Sequence, residues 1–397
     1  MFEGVCKESP DREKEPQFTP LESTAIYGGD DMDKISTPDG EGGVKAPSPL
    51  TEFPFVPWAD HHVRSMLVVH QGALGDFILT LPAIETLRKT FPEAESIIIG
   101  YPRILELVEQ RFYAERILSI DQKGMASFFV RGGSLDPSFS QRFGKFDLIA
   151  VFGRDEEGAL VGNLKRVCDG HILQINPFPS WGETIHLTDY LLKQFSRRGF
   201  RISGLNPKLH LKESDRDWGR DFWRNRGLAA KETSRVIILH PGSGSKKKVW
   251  PLDRFLSLAQ MLQDGLGSKI LILFGPAEGS EVERVFSEMD SQAFIQVKGL
   301  SLLKLASVIE GCRLFIGNDS GISHMAAALG IPTIAIFGPT DPRAWSPRGE
   351  KVWVVRNEIP CSPCSRERSL QCISSECLKG IAVEEVLEGL NRLGVET

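Results

Sequence analysis

The chain has 397 residues, 41% apolar and 25% charged, with a net charge of -5, which is ordinary for a soluble protein with material for two cores. The charge is uneven. Residues 1–62 hold 13 Asp/Glu against 5 Lys/Arg, leaving the remainder at +3, so a whole-molecule field for nucleic acid is excluded. No apolar run reaches the ~20 residues of a membrane span.

Residues 1–62 also carry eight of the 24 prolines and six glycines, a composition that points to a disordered acidic tail. The start, MFEGVCKESPDREKEP, lacks the basic and apolar pattern of a signal peptide, so a cytoplasmic protein is expected. Order begins near Arg64. Ser65–His70 reads as a buried strand, followed by a helix over Phe77–Thr90 and a strand at Ser96–Gly100. Ile104–Gln110 is a helix candidate, Arg116–Ile120 and Phe146–Phe152 are strands, and Thr188–Arg198 is a helix. Residues 203–233 are polar, with a helix over Asp215–Arg226, and read as an interdomain connection. The alternation then restarts. Strands are predicted at Val236–His240, Lys269–Phe274, Leu314–Ile316 and Thr333–Phe337. Helices are predicted at Pro251–Gln263, Ser280–Ser287, Ser301–Ile309, Ser323–Leu329 and Ala382–Leu393. Such alternation gives an α/β chain with parallel sheets. The expected domains are a tail (1–62), a Rossmann-like acceptor domain (63–230) and a Rossmann-like donor domain (231–397), facing a central cleft.

Four segments at strand ends carry chemistry, where open α/β sheets bind ligands. His70-Gln71-Gly72-Ala73-Leu74-Gly75-Asp76 places a carboxylate at a helix start. It suits either a helix cap or a base that takes a proton from a hydroxyl nucleophile. Its spacing is G-x-x-G-D and not the dinucleotide G-x-G-x-x-G, and no acid ends the second strand, which disfavours a nicotinamide enzyme. His240–Pro251 (HPGSGSKKKVWP) offers Ser243 and backbone N–H groups to phosphate oxygens, and a lysine to a leaving diphosphate. It is not a Walker A loop. Phe274–Glu281 brings Glu278, suited to ribose or sugar hydroxyls or only to a helix dipole. Phe315–Thr333 (FIGNDSGISHMAAALGIPT) sets Asp319, Ser320, Gly321 and His324 where a helix begins, a ready anion site. Phe337–Pro342 (FGPTDP) lines the same side.

These segments, in this order over about residues 64–390, resemble glycosyltransferase family 9, the ADP-heptose:lipopolysaccharide heptosyltransferases. The carrying motifs are G-x-x-G-D with ILTLP, HPG-S with K-x-W-P, and G-N-D-S-G-x-S-H-x-A-A-A-L-G-x-P-T with FGPTDP. The resemblance implies a GT-B fold and an inverting transfer from a nucleotide-activated heptose, with no cofactor and no obligatory metal. It implies Asp76 as general base, Lys248 on the diphosphate and Glu278 near the nucleoside. Asp319, Ser320, Gly321 and His324 would surround the donor's sugar and phosphates. Val249 stands where better-known members often have His, Lys247 competes with Lys248 for the diphosphate role, and the tail is atypical. The implied partners are a nucleotide sugar and a lipopolysaccharide or other glycan acceptor. A peripheral membrane contact near Arg103, Arg111 or Arg197-Arg198 goes with that acceptor. A different nucleotide-sugar transferase, an epimerase or a non-catalytic binder are the alternatives; the presence of both Asp76 and Lys248 argues against a binder. Cys361, Cys364, Cys372 and Cys377 form C-x2-C-x7-C-x4-C, a candidate zinc or iron–sulfur site or a set of structural or redox thiols.

Overall fold

The structure is a computed structural model, and it describes residues 58–155, 157–179, 183–275, 284–286 and 294–395. Most of the expected tail therefore lies outside the described residues, as do Glu278 and most of the expected Ser280–Ser287 helix. Of the tail, Trp58–Asp60 forms a short 3-10 turn. The Trp58 indole stacks on Phe200 at 4.9 Å.

The first half has strands β1 (Ser65–His70), β2 (Glu95–Gly100), β3 (Arg116–Ser119), β4 (Leu148–Phe152) and β5 (His171–Ile175). They form one parallel sheet in the order β3-β2-β1-β4-β5. The second half has β6 (Val236–His240), β7 (Lys269–Phe274), β8 (Phe294–Lys298), β9 (Leu314–Asn318), β10 (Thr333–Phe337) and β11 (Val352–Arg356). Its order is β11-β10-β9-β6-β7-β8, again parallel. Parallel strands covered on both faces read as unbroken apolar runs. The central strands do so: VIILH of β6 and TIAIF of β10 are buried throughout.

In each sheet the strand order reverses at one point, where a crevice opens at the strands' carboxyl ends. In the first half it lies between β1 and β4, and in the second between β6 and β9. His70 ends β1 opposite Phe152 of β4, and His240 ends β6 opposite Gly317 of β9. The segments after β1, β6 and β9 are thus brought to these two crevices.

Apolar packing joins the halves. One continuous core includes Val68 and Phe77 from the first half and Ile238, Phe315 and Ala326 from the second. The Leu74–Thr90 helix packs on the Gly321–Ala328 helix, and Glu213–Arg224 on Leu302–Ile309. Polar ties flank this core. Arg111 pairs with Asp215 at 2.6 Å, and the Leu303 N–H donates to Glu106 Oε1 at 3.1 Å. Arg111 itself is therefore turned inward, toward Asp215. Burial favours a fixed guanidinium–carboxylate pair there over a solvated arginine.

Candidate active site

The Gln71–Ala73 turn leaves β1 tightly. A Cβ on Gly72 would fall 2.7 Å from His70 Cε1 and 2.8 Å from Asp76 Cβ, so only glycine fits. The Gly72 N–H donates to His70 Nδ1 at 3.2 Å, and Thr80 Oγ1 lies 3.3 Å from Nε2. Burial drives the His70 pKa down to about 4, so the ring props the turn as a neutral acceptor. Asp76 is the third residue of the Leu74–Thr90 helix, and Ala73 is its N-cap. One Asp76 oxygen accepts the Ala73 N–H at 3.2 Å. The carboxylate thus serves the helix start and still lines the cleft. Burial raises its pKa, opposed by the Ala73 hydrogen bond and by Lys248, and assisted by Asp319.

Across the cleft, the Gly321–Ala328 helix starts against the first helix. A Cβ on Gly321 would meet Leu74 Cβ at 2.8 Å, and one on Gly75 would meet His324 Cδ2 at 3.2 Å. Two helix N-termini therefore converge. At the second, no side chain caps the helix. The Ser320 hydroxyl lies 3.4 Å from His240 Nδ1 and 3.3 Å from Ser323 Oγ instead. Its N–H end with the attendant positive dipole is left to an anion.

Lys248 Nζ lies 2.8 Å from Asp319 Oδ2. That oxygen has no aligned hydrogen-bond donor, so charge holds the pair. Lys247 turns the other way: its Nζ donates to Leu370 O at 2.8 Å and to Ser369 O. Of the neighbouring lysines, Lys248 is the one that lines the cleft. The Ser243 hydroxyl donates to Asp319 O at 2.8 Å. His324 is buried with Nδ1 unpartnered. Burial lowers its pKa to about 4, with His186 and Lys248 adding to the effect and Asp319 opposing it. Asp76, Ser243, Lys248, Asp319, Ser320 and His324 line one cavity of about 280 Å³.

Sequence reasoning did not single out Asn318. Its side chain is fully buried at the end of β9. Its Oδ1 accepts the Trp250 N–H at 3.0 Å, while Nδ2 donates to Pro241 O at 2.7 Å. One carboxamide thus holds both ends of the Pro241–Trp250 loop that carries Ser243 and Lys248. The available signal was an amide, with both a donor and an acceptor, at the end of an apolar strand. His186 was also missed. It caps the Leu187–Arg197 helix through Nδ1, which accepts the Thr188 N–H at 3.2 Å. Nε2 therefore carries the proton and donates to Ser346 O at 3.0 Å. Arg348 pairs with Asp189 beside it, tying the halves together at the cleft.

A larger cavity, about 390 Å³, lies between the Glu213–Arg224 and Leu302–Ile309 helices. Its arginines are committed: Arg216 to Glu310, Arg220 to Glu213 and Arg224 to Asp221. It offers no base or anion site comparable to the cleft. The four cysteines Cys361, Cys364, Cys372 and Cys377 form no disulfide. Among the described residues no three His, Cys, Asp or Glu side chains gather as a metal site. All four thiols are free, Cys364 Sγ turns to Cys361 O at 3.2 Å, and Cys377 is buried in the second half's core.

Residues 179–373 match the model of glycosyltransferase family 9 (heptosyltransferase). The chain carries a glycosyltransferase family 9 domain. A lipooligosaccharide heptosyltransferase 2 of Campylobacter jejuni is 24% identical over 81% of this chain and 95% of its own length. A lipopolysaccharide heptosyltransferase 1 of Pseudomonas aeruginosa is 29% identical over 40% of this chain and 43% of its own. Among solved structures, a family 9 glycosyl transferase from Veillonella parvula superposes with a TM-score of 0.70 at 21% identity. That match covers 86% of this chain and 99% of the other. The E. coli ADP-heptose lipopolysaccharide heptosyltransferase II gives a TM-score of 0.63 at 18% identity, covering 83% and 98%. The fold is GT-B, and segments from both strand-reversal crevices line one cavity. Among the described residues no helix is long and apolar enough to cross a membrane.

Proposed function

We propose that the protein transfers a heptose from ADP-heptose to a lipopolysaccharide or lipooligosaccharide core acceptor, inverting the anomeric carbon. The relatives' names support this choice of sugar and acceptor. The observation that carries the mechanism is the single cavity with Asp76 from one half and the Lys248–Asp319 pair from the other. A sugar hydroxyl is a weak nucleophile at neutral pH, and a carboxylate with a raised pKa is a competent acceptor for its proton. Asp76 takes that proton as the acceptor oxygen attacks the anomeric carbon. The bond to the diphosphate breaks on the opposite face, so configuration inverts. Charge then grows on the diphosphate. Lys248 and the uncapped N-terminus at Ser320-Gly321 stabilise it in place. Asp319 holds Lys248 and, with neutral His324, meets the donor sugar's hydroxyls. Glu278 lies outside the described residues, and its role at the nucleoside rests on the motif alone. Acceptors of this class place the enzyme at the cytoplasmic face of a membrane.

A donor screen tests the reading. ADP-heptose should raise the melting temperature and support transfer to heptose-free lipopolysaccharide, while UDP-, GDP- and CDP-sugars should do neither. Transfer from one of those donors and not from ADP-heptose contradicts it.

A further inference from the structure

The transfer chemistry leaves the larger cavity unused. Its volume of about 390 Å³ falls within the range of small-molecule pockets. The Glu213–Arg224 helix of the interdomain connection walls one side, and the Leu302–Ile309 helix with the turn after it walls the other. The two helices meet at backbone contact, since a Cβ on Gly219 would fall 2.5 Å from Ser307 O. The chain that returns through Leu228, Ala229 and Thr233 closes the remaining side. The first of these helices also carries Asp215, which pairs with Arg111 of the first half. The cavity thus sits on the joint between the halves and away from the transfer cleft.

The polar groups around it are of two kinds. At the rim every charge is answered. Arg216 pairs with Glu310 at 2.9 Å, Arg220 with Glu213 at 2.7 Å, and Arg224 with Asp221. A charged ligand would give up its hydration there without gaining a counter-ion. Deeper in, the Ser307 hydroxyl donates to Leu303 O at 3.0 Å. Trp223 is the exception. It is 3% exposed, and its Nε1–H has no hydrogen-bond partner. A buried donor without an acceptor is costly, and native folds keep few of them.

That N–H lies beside Gly311. A Cβ on Gly311 would stand 3.2 Å from Nε1 and 3.7 Å from Cδ1 of the indole. The Gly311 backbone is not in the left-handed region, so the turn itself does not demand glycine. What glycine provides is the absence of a side chain against the indole N–H. Leu228, buried, and Ala229 supply apolar wall. A room of this size, with no unpaired charge, one unmet donor and apolar sides, specifies the chemistry of its occupant.

We propose that this cavity is a second small-molecule site, separate from the transfer cleft, for an uncharged molecule with a compact apolar ring and a carbonyl acceptor. The carbonyl takes the Trp223 Nε1–H. The ring buries its surface on Leu228 and Ala229. The ion pairs at the rim stay intact and contribute no bond to the ligand.

The test uses the full chain, isotopically labelled at its tryptophan nitrogens, and three probes of one shape. Acetophenone carries the carbonyl. In α-methylstyrene a carbon–carbon double bond replaces it, and in benzoate a charged oxygen replaces the methyl group. The Trp223 indole resonance is identified by its loss in W223F and by its displacement in G311A. Acetophenone should move that resonance saturably. The affinity of α-methylstyrene should be lower on the order of tenfold, as expected where a buried donor stays unpaired, and that of benzoate lower again. In G311A the added methyl stands against Nε1. Acetophenone should then lose on the order of tenfold and no longer be favoured over α-methylstyrene. Saturating ADP should change acetophenone affinity by less than about twofold, as for sites with no shared partners. No saturable movement of the Trp223 resonance, equal wild-type affinity for acetophenone and α-methylstyrene, or tighter binding of benzoate overturns the site. So does displacement of acetophenone by ADP, or an unchanged acetophenone affinity in G311A. Where G311A does not fold, the ranking of the three probes on wild type still decides.

Discussion

The two sides of the cleft are built differently. On the second half's side, the loops that carry the polar residues are tied down by buried side chains. Asn318 links both ends of the Pro241–Trp250 loop, Ser243 fixes Asp319 O, and Ser323 Oγ donates to Asn318 O at 2.6 Å. On the first half's side, one carboxylate reaches the cavity, held by one backbone N–H and a turn propped on His70. Preorganised donors are worth most where charge develops at a fixed place, as it does on a leaving diphosphate. A proton acceptor needs reach and a tuned pKa more than a dense network.

That contrast is broken most severely at Asp76. Asp76→Asn should lower kcat by about 10²–10⁴-fold, the usual contribution of a positioned base, with ADP affinity unchanged. Its folded pKa is raised chiefly by burial, so the charge is disfavoured on folding at any pH above the unfolded value. Asn removes that charge and keeps an acceptor for Ala73 N–H, so the melting temperature should not fall. Lys248→Ala should cost about 10²–10³ in kcat and weaken ADP as well, since it strips the buried Asp319 of its counter-ion. A calorimetric titration beside steady-state rates separates the two variants: one loses only turnover, the other loses both.

Asn318→Asp sharpens the comparison from the opposite side. A carboxylate there would face the Pro241 and Gly242 carbonyls in place of the amide N–H. The expected penalty is about 1–3 kcal/mol in denaturant unfolding, with donor KM rising more than acceptor KM. The smallest effect is expected at Lys247. Lys247→Met removes its bonds to the Ser369 and Leu370 carbonyls but touches nothing in the cavity. Transfer should stay within about threefold, because exposed polar ties contribute little. A loss as large as that of Lys248→Ala would mean the roles of the two lysines are reversed.

Much of the fold was legible because the central strands are buried on both faces. SMLVVH, VIILH and TIAIF need no alternation to be recognised. The edge strands β5, β8 and β11 were not, since HILQI, FIQVK and VWVVR are only partly buried. The Ile104–Gln110 helix is in fact a short Pro102–Leu105 turn of helix. Its continuation gives way to bridges at Glu109, Arg111 and Ala114, and Arg111 leaves to meet Asp215. The site residues that follow a strand by a few positions could be named from sequence. Those that depend on distant partners could not. His186 reaches a carbonyl 160 residues away, and Trp345 meets Phe178 across the cleft. Lys247 and Lys248 are chemically identical in sequence and separate only in three dimensions.

The most direct test of Asp76 as the base is the pH dependence of kcat/KM for wild type and Asp76→Asn. The base acts only when deprotonated, so the wild-type rate should rise with pH through a limb above the ordinary carboxylate range, set by burial of Asp76. The residual activity of Asp76→Asn should lack that limb. An identical limb in both proteins would place the essential base elsewhere and contradict the account.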